Sequence, residues 1–94
     1  MTKPYTEKHY TQEGTDRPYI VREFDVNVAD DELVWHRDEN FRSVTVLSGT
    51  GWKLQMDDEL PEELIVGKQY YITGLTYHRL IKGNNNLVVR IENI

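Results

Sequence analysis

The stretch VWHRDENFRSVTVLSG, residues 34–49, decides how this chain folds and where its chemistry lies. In its second half Val44 and Val46 alternate with residues of the other face, as in a strand with one buried side. In its first half His36 and Asp38 are two positions apart, so both side chains point to one face of an extended segment. An imidazole and a carboxylate on one face can bind a common ligand.

The same alternation, broken by turn residues at short intervals, continues along the chain. Trp52, Leu54 and Met56 share one face of a further strand, while Lys53 and Gln55 share the other. Strands are predicted at residues 19–27, 32–37, 43–47, 52–56, 63–66, 69–72, 78–81 and 87–91. Short strands separated by turns rich in Gly, Asn and Asp are typical of an antiparallel sandwich or barrel. We therefore predict an all-β fold.

Composition restricts the class of protein and of partner. The 94 residues are 38% hydrophobic and 11% aromatic, which suits one small domain. A net charge of −5 argues against nucleic acid, because phosphate binding needs clustered Lys and Arg. No apolar run or signal peptide indicates a membrane, so we expect a cytoplasmic protein. With no cysteine, any metal must be held by imidazole and oxygen.

The first 17 residues differ from the rest, because they are polar and show no sustained periodicity. We expect residues 1–17 to form an N-terminal arm that is flexible or that adds a strand to a second copy of the chain. Residues 18–94 then form the barrel domain. A chain this short gains stability from association, so we expect a homodimer.

A second histidine segment, ITGLTYHRLIKG, follows some forty residues after the first. A barrel that pairs the two strands would bring His78 to the face that carries His36 and Asp38. Two imidazoles and one carboxylate form the ligand set typical of non-haem iron sites with open positions, and they also suit zinc or manganese. The alternative is structural: both histidines hydrogen-bond within the fold, and Asp38 is a turn residue.

The first segment resembles the first motif of the cupin superfamily, which runs His-x-His, then Glu, then Gly. With Gly49 on the motif glycine, His36 takes the first His position and Asp38 the second. Arg42 stands where the family has its Glu. This departure places a fixed positive charge beside the site where a divalent cation would lie.

The second segment is similar to the second cupin motif, in which a Gly is followed through a Pro-x-Gly turn by a His. Gly67 and His78 have the family spacing, whereas Thr73 replaces the Pro and Gly74 is shifted by one. The resemblance covers residues 19–92 and is greatest to small single-domain cupins of phage and marine environmental sequences. It implies a Greek-key, jelly-roll barrel with a site inside one end, and it implies no particular reaction.

Arg42 has two interpretations. It can pair with Asp38 across the turn and occupy the carboxylate. It can instead turn toward the pocket and hold a substrate carboxylate or phosphate next to a metal with three protein ligands. The other residues expected to contact substrate are aromatic or amide side chains near the same end, namely Trp52, Gln55, Tyr70 and Tyr77.

Three functions follow from these observations. The first is a metal-binding cupin, an oxygenase or isomerase acting on a small polar molecule, with His36, Asp38 and His78 as ligands of Fe, Mn or Zn. The second, based on Arg42, is a metal-free module that binds a small anionic or sugar-like ligand. The third is a structural dimerisation module without a ligand.

Overall fold

The computed structural model describes residues 4–29 and 33–93, and within them it contains eight β-strands. The strands are β1 (Tyr5–Thr11), β2 (Pro18–Phe24), β3 (Arg42–Ser48), β4 (Lys53–Met56), β5 (Glu62–Glu63), β6 (Gln69–Ile72), β7 (His78–Ile81) and β8 (Leu87–Asn93). The described part of the chain includes no helix long and apolar enough to cross a membrane. The all-β prediction is confirmed.

The strands form two antiparallel sheets. One sheet has the order β1-β2-β8-β3-β6, and the other has the order β5-β4-β7. Strands far apart in sequence are neighbours in both sheets, as jelly-roll topology requires. Among the described residues the two sheets remain separate ladders, so the expected barrel is an open double sheet and not a closed cylinder.

The core lies between the two sheets and follows from residue alternation. Leu87, Val89 and Ile91 on β8 are buried, while the residues between them are partly exposed. From the opposite sheet Trp52 is completely buried, and its ring lies 6.1 Å from that of Phe24. One apolar layer thus holds both sheets together.

Residues 5–11 of the expected arm form β1, an edge strand of the larger sheet. β1 and β2 pair as a hairpin from Tyr5 opposite Phe24 to Thr11 opposite Pro18. The connecting turn contains Gly14 at φ 81°, a conformation that glycine adopts without strain. The alternation is weak here because an edge strand buries few side chains. Exchange of this arm between copies stays a prediction.

The strand predicted at residues 63–66 is reduced to β5, and the one predicted at residues 32–37 does not form a ladder. Glu32 lies outside the described residues, and in the rest of this segment only His36 pairs, through one isolated bridge to His78. The two residues exchange backbone hydrogen bonds of 3.0 and 2.8 Å. Just before His78 the chain forms a turn, so no strand is available for further pairs on that side of the bridge.

Candidate metal centre

The structure brings His36, Asp38 and His78 together at one end of the double sheet. The backbone bridge places the two histidines opposite each other, with ring centroids 4.4 Å apart. Asp38 follows two residues after His36 and points to the same side, as parity predicts. One ligand atom from each of the three side chains lies within 4.8 Å of the others.

Both imidazoles are oriented by the same kind of hydrogen bond. His36 Nδ1 is 3.0 Å from the Val34 carbonyl oxygen, and His78 Nδ1 is 2.9 Å from that of Thr76. A carbonyl only accepts, so Nδ1 carries the proton and, in the neutral ring, Nε2 carries a free lone pair. Histidines that bind metals are oriented in this way, through the ring nitrogen that does not contact the metal.

Both Nε2 atoms face the same carboxylate oxygen. Asp38 Oδ2 lies 3.4 Å from His78 Nε2 and 4.0 Å from His36 Nε2. It is buried and has no hydrogen-bond partner among the described residues. Lone pairs therefore face one another across the centre, an arrangement that a cation between them would make favourable.

The protonation of His78 supports this interpretation. Burial lowers the pKa of His78 below its ordinary value of 6.5, against the opposing effect of the Thr76 carbonyl. The charges of His36 and Arg42 lower this pKa further, and Asp38 raises it. His78 is therefore neutral near pH 7, so its contact with Asp38 is not an ion pair. The donor set fits a divalent cation.

Arg42 combines the two roles that its sequence position suggests. Its Nη1 is 3.4 Å from Asp38 Oδ2, four residues earlier in the chain. Its Nε is buried without a hydrogen-bond partner in the described structure, and the side chain lines the adjoining cavity. The guanidinium thus lies next to the carboxylate and still has a donor to offer.

The cavity extends from this corner between the sheets and has a volume of about 310 Å³, near the lower end for small-molecule sites. Its polar lining residues are His36, Asp38, Arg42, His78 and, on β2, Arg22. Most of the remaining wall is aliphatic.

Solved structures with the same architecture match nearly the whole chain. DMSP lyase DddQ from Ruegeria pomeroyi DSS-3 has a TM-score of 0.77 at 13% identity, over 96% of this chain and 46% of that one. A cupin-2 domain protein from Shewanella frigidimarina has a TM-score of 0.70 at 16% identity, over 100% of this chain and 85% of that one. An RmlC-like cupin with a double-stranded β-helix fold from Methanocaldococcus jannaschii has a TM-score of 0.68 at 12% identity, over 94% of this chain and 79% of that one. The chain has the cupin fold.

These similarities concern the fold only, since all three identities are below 25%. No protein-family model matches the sequence, and no curated protein matches it either. The chain spans a little under half the length of the two DMSP lyase structures that it resembles.

Several residues expected to contact substrate lie away from the cupin cavity. Trp52 is in the core, where its indole N–H donates to the Asn85 carbonyl at 2.6 Å. Tyr70 is buried, and its hydroxyl donates to the Glu63 carbonyl at 2.8 Å.

Two more of these residues face outward. Gln55 accepts a hydrogen bond of 2.9 Å from Arg79 Nε on the outer face of the smaller sheet. Tyr77 is 45% exposed, and Arg37 lies over its ring. Of the five expected substrate residues, Arg42 lines the cavity.

The cavity also includes residues that sequence reasoning missed. Arg22 lies on the inner face of β2 opposite Val89, and its Nη2 donates to Glu7 Oε2 at 2.9 Å. Its guanidinium carbon is 3.8 Å from the centroid of the Tyr5 ring. Tyr5 and Glu7, two residues apart on β1, lie opposite Phe24 and Arg22 of β2, and this short period-two spacing is the one weak signal in the sequence for the strand.

A tight turn at residues 73–76 positions two of the three candidate ligands. The Leu75 amide donates to the Asp38 carbonyl at 2.6 Å, and the Thr76 carbonyl orients His78. Leu75 adopts φ 61°, a conformation unfavourable for a branched side chain and retained only where the surroundings impose it. The turn acts on the site through these contacts, as a support for the ligands.

Proposed function

We propose that this cupin binds a divalent metal through His36, Asp38 and His78 and acts on a small molecule in the adjoining cavity. The observation that carries the proposal is the pair of Nε2 lone pairs directed at Asp38 Oδ2, which accepts no hydrogen bond among the described residues and has Arg42 Nη1 at 3.4 Å. Two imidazoles and a carboxylate leave positions open at a metal, which catalytic sites require and structural sites lack.

The bound metal would supply Lewis acidity and open positions for substrate or oxygen. His36 is half-exposed, so the site can be reached from solvent, whereas His78 is only 5% exposed and is held rigidly. Arg42 would hold an anionic group of the substrate beside the metal. Iron(II) with oxygenase chemistry is the assignment that this ligand set favours, and isomerisation with manganese or zinc is the second.

A metal-free anion-binding protein is the alternative candidate. It is favoured by the 3.4 Å contact between Arg42 Nη1 and Asp38 Oδ2, which already gives the carboxylate a counter-charge. In that case Arg42, and not a metal, is the main recognition element. The predicted homodimer, the dimerisation-module hypothesis and the cytoplasmic location stay predictions.

Metal content tests the proposal directly. The protein is purified without chelator, and Fe, Mn and Zn are measured by elemental analysis in the wild type and in a His36→Ala, His78→Ala double variant. We expect close to one metal per chain in the wild type and less than about a tenth of that in the double variant, because two of three ligands are lost. Added metal should also raise the melting temperature of the wild type alone.

His9→Ala is the matched control, because His9 lies exposed on β1, outside the candidate ligand group. This variant should retain the wild-type metal content. Equal metal content in the wild type and the double variant would contradict the metal site. A metal-free wild type that still binds carboxylates through Arg42 would support the alternative.

A further inference from the structure

The lining of the cavity specifies its ligand more closely than the metal corner does, that is, the corner formed by His36, Asp38, Arg42 and His78. The strands that carry corner residues continue inward with aliphatic side chains on the same face. On β3 Val44 follows Arg42 by two residues, and on β7 Leu80 follows His78 by two. On β8 Ile91 lies opposite Val44 and Val89 opposite Val46, and both line the apolar wall.

The polar groups of the cavity are concentrated at one end. Among the described residues Arg42 Nε is a buried donor without a hydrogen-bond partner, and Asp38 Oδ2 is a buried acceptor without a hydrogen bond, in ion-pair contact with Arg42 Nη1 at 3.4 Å. A carboxylate would satisfy the first and a metal the second. Away from this corner the polar lining side chains are Arg22, which is paired with Glu7, and Tyr5, while the aliphatic walls offer no partners for hydroxyl groups. Burying hydroxyls against such walls is unfavourable.

We infer that the ligand is an amphiphilic carboxylate, with its carboxylate at Arg42 and the metal, and an unbranched aliphatic chain between Val44, Leu80 and Val89. The inference rests on the proposed function and names its substrate class. It differs from the small polar or sugar-like ligand expected from the sequence, because the wall of the cavity of about 310 Å³ is mainly apolar.

A series of straight-chain carboxylates from butanoate to decanoate tests this inference by isothermal titration calorimetry, with metal content measured on the same samples. We expect the dissociation constant to fall about fourfold per added methylene, the factor that corresponds to about 0.8 kcal/mol, until the cavity is filled. Gluconate is the matched control for hexanoate, since it has the same carbon number and head group but carries hydroxyls. Hexanoate should bind at least tenfold more tightly.

Substitutions in the cavity wall test where the aliphatic chain of the ligand lies. Val44→Phe narrows the cavity next to Arg42, so it should abolish the gain in affinity with chain length. Leu80→Phe on the facing sheet is a second such variant, should the first not fold. Val88→Phe is the control, because Val88 alternates with the buried Leu87 and Val89 and faces away from the core.

The outcomes separate this inference from the proposed function. Affinity that is independent of chain length, or gluconate binding as tightly as hexanoate, overturns the substrate class while a metal-loaded protein leaves the metal site standing. Absence of carboxylate binding by metal-loaded protein also overturns the substrate class and leaves the metal site standing. Chain-length dependence in a protein without metal supports the substrate class and contradicts the metal proposal.

Discussion

Two polar clusters lie at opposite ends of β3, and they differ in how completely their buried polar atoms are hydrogen-bonded. At one end the turn at residues 84–86 accepts hydrogen bonds from neighbouring segments. The Asn85 carbonyl accepts from Trp52 Nε1 at 2.6 Å, and Asn86 Oδ1 accepts from the Val26 amide at 2.8 Å. At the other end, beside Arg42, two buried polar atoms have no partner among the described residues.

This difference separates a structural cluster from a functional one. Buried polar groups in folded proteins are nearly always hydrogen-bonded, so a turn with complete bonding needs no ligand to explain it. In the corner formed by His36, Asp38, Arg42 and His78, Asp38 Oδ2 accepts no hydrogen bond and Arg42 Nε donates none among the described residues, although Nη1 of the same arginine contacts that oxygen at 3.4 Å. The corner therefore retains an acceptor for a cation and a donor for an anion. Substitutions at the first end should therefore affect stability, and those at the second should affect binding.

The largest expected effect is at the structural end. Trp52→Ala removes a fully buried indole and its hydrogen bond to Asn85, so the free energy of unfolding should fall by about 3–5 kcal/mol. Denaturant unfolding followed by circular dichroism measures this. Trp35→Ala is the control: Trp35 is 41% exposed, the Arg79 guanidinium carbon lies 4.8 Å from its ring centroid, and the loss should stay below about 1 kcal/mol. Equal losses would contradict the assignment of Trp52 to the core.

A matched pair of substitutions compares the two ends at a smaller scale. Asn86→Ala leaves the Val26 amide unpartnered and should cost about 1–3 kcal/mol of stability without changing metal content. His36→Ala, measured with chelator present, should cost less than about 1 kcal/mol, because the half-exposed ring contributes little to packing. Metal content should show the reverse order, with a larger loss in the His36→Ala variant than in the Asn86→Ala variant. A His36→Ala loss as large as that of Asn86→Ala would make the corner structural.

The smallest effect is the pH dependence of the metal-free protein. Because the folded-state pKa of His78 is below 6.5, the unfolded chain binds more protons as the pH falls through that value. Stability contributed by neutral His78 is thus complete above pH 6.5 and is lost on acidification, by less than about 1.4 kcal/mol per pH unit. His78→Gln should flatten the profile between pH 7 and 5. An unchanged profile in this variant would assign the dependence to other groups.

Much of the fold could be predicted from the sequence, but whether an individual inward-facing residue lies in the core or on the cavity could not. Alternation placed Trp52 on an inward face correctly, yet Trp52 and Tyr70, both expected to contact substrate, lie in the core and not on the cavity. The core and the pocket wall of a small double sheet share one face, so parity does not indicate how far along the strand a residue lies. β1 was missed because an edge strand that buries Tyr5 and Glu7 only partly shows little alternation.

The sequence by itself determined what is local. Period-two spacing put His36 and Asp38 on one side, turn residues separated the strands, and the lack of cysteine limited any metal to imidazole and oxygen ligands. Only the tertiary structure decided that His78 pairs with His36 and that Arg42 both contacts Asp38 and lines the cavity. Face parity is a property of each strand, whereas register joins strands distant in sequence and depends on the packing of the whole core.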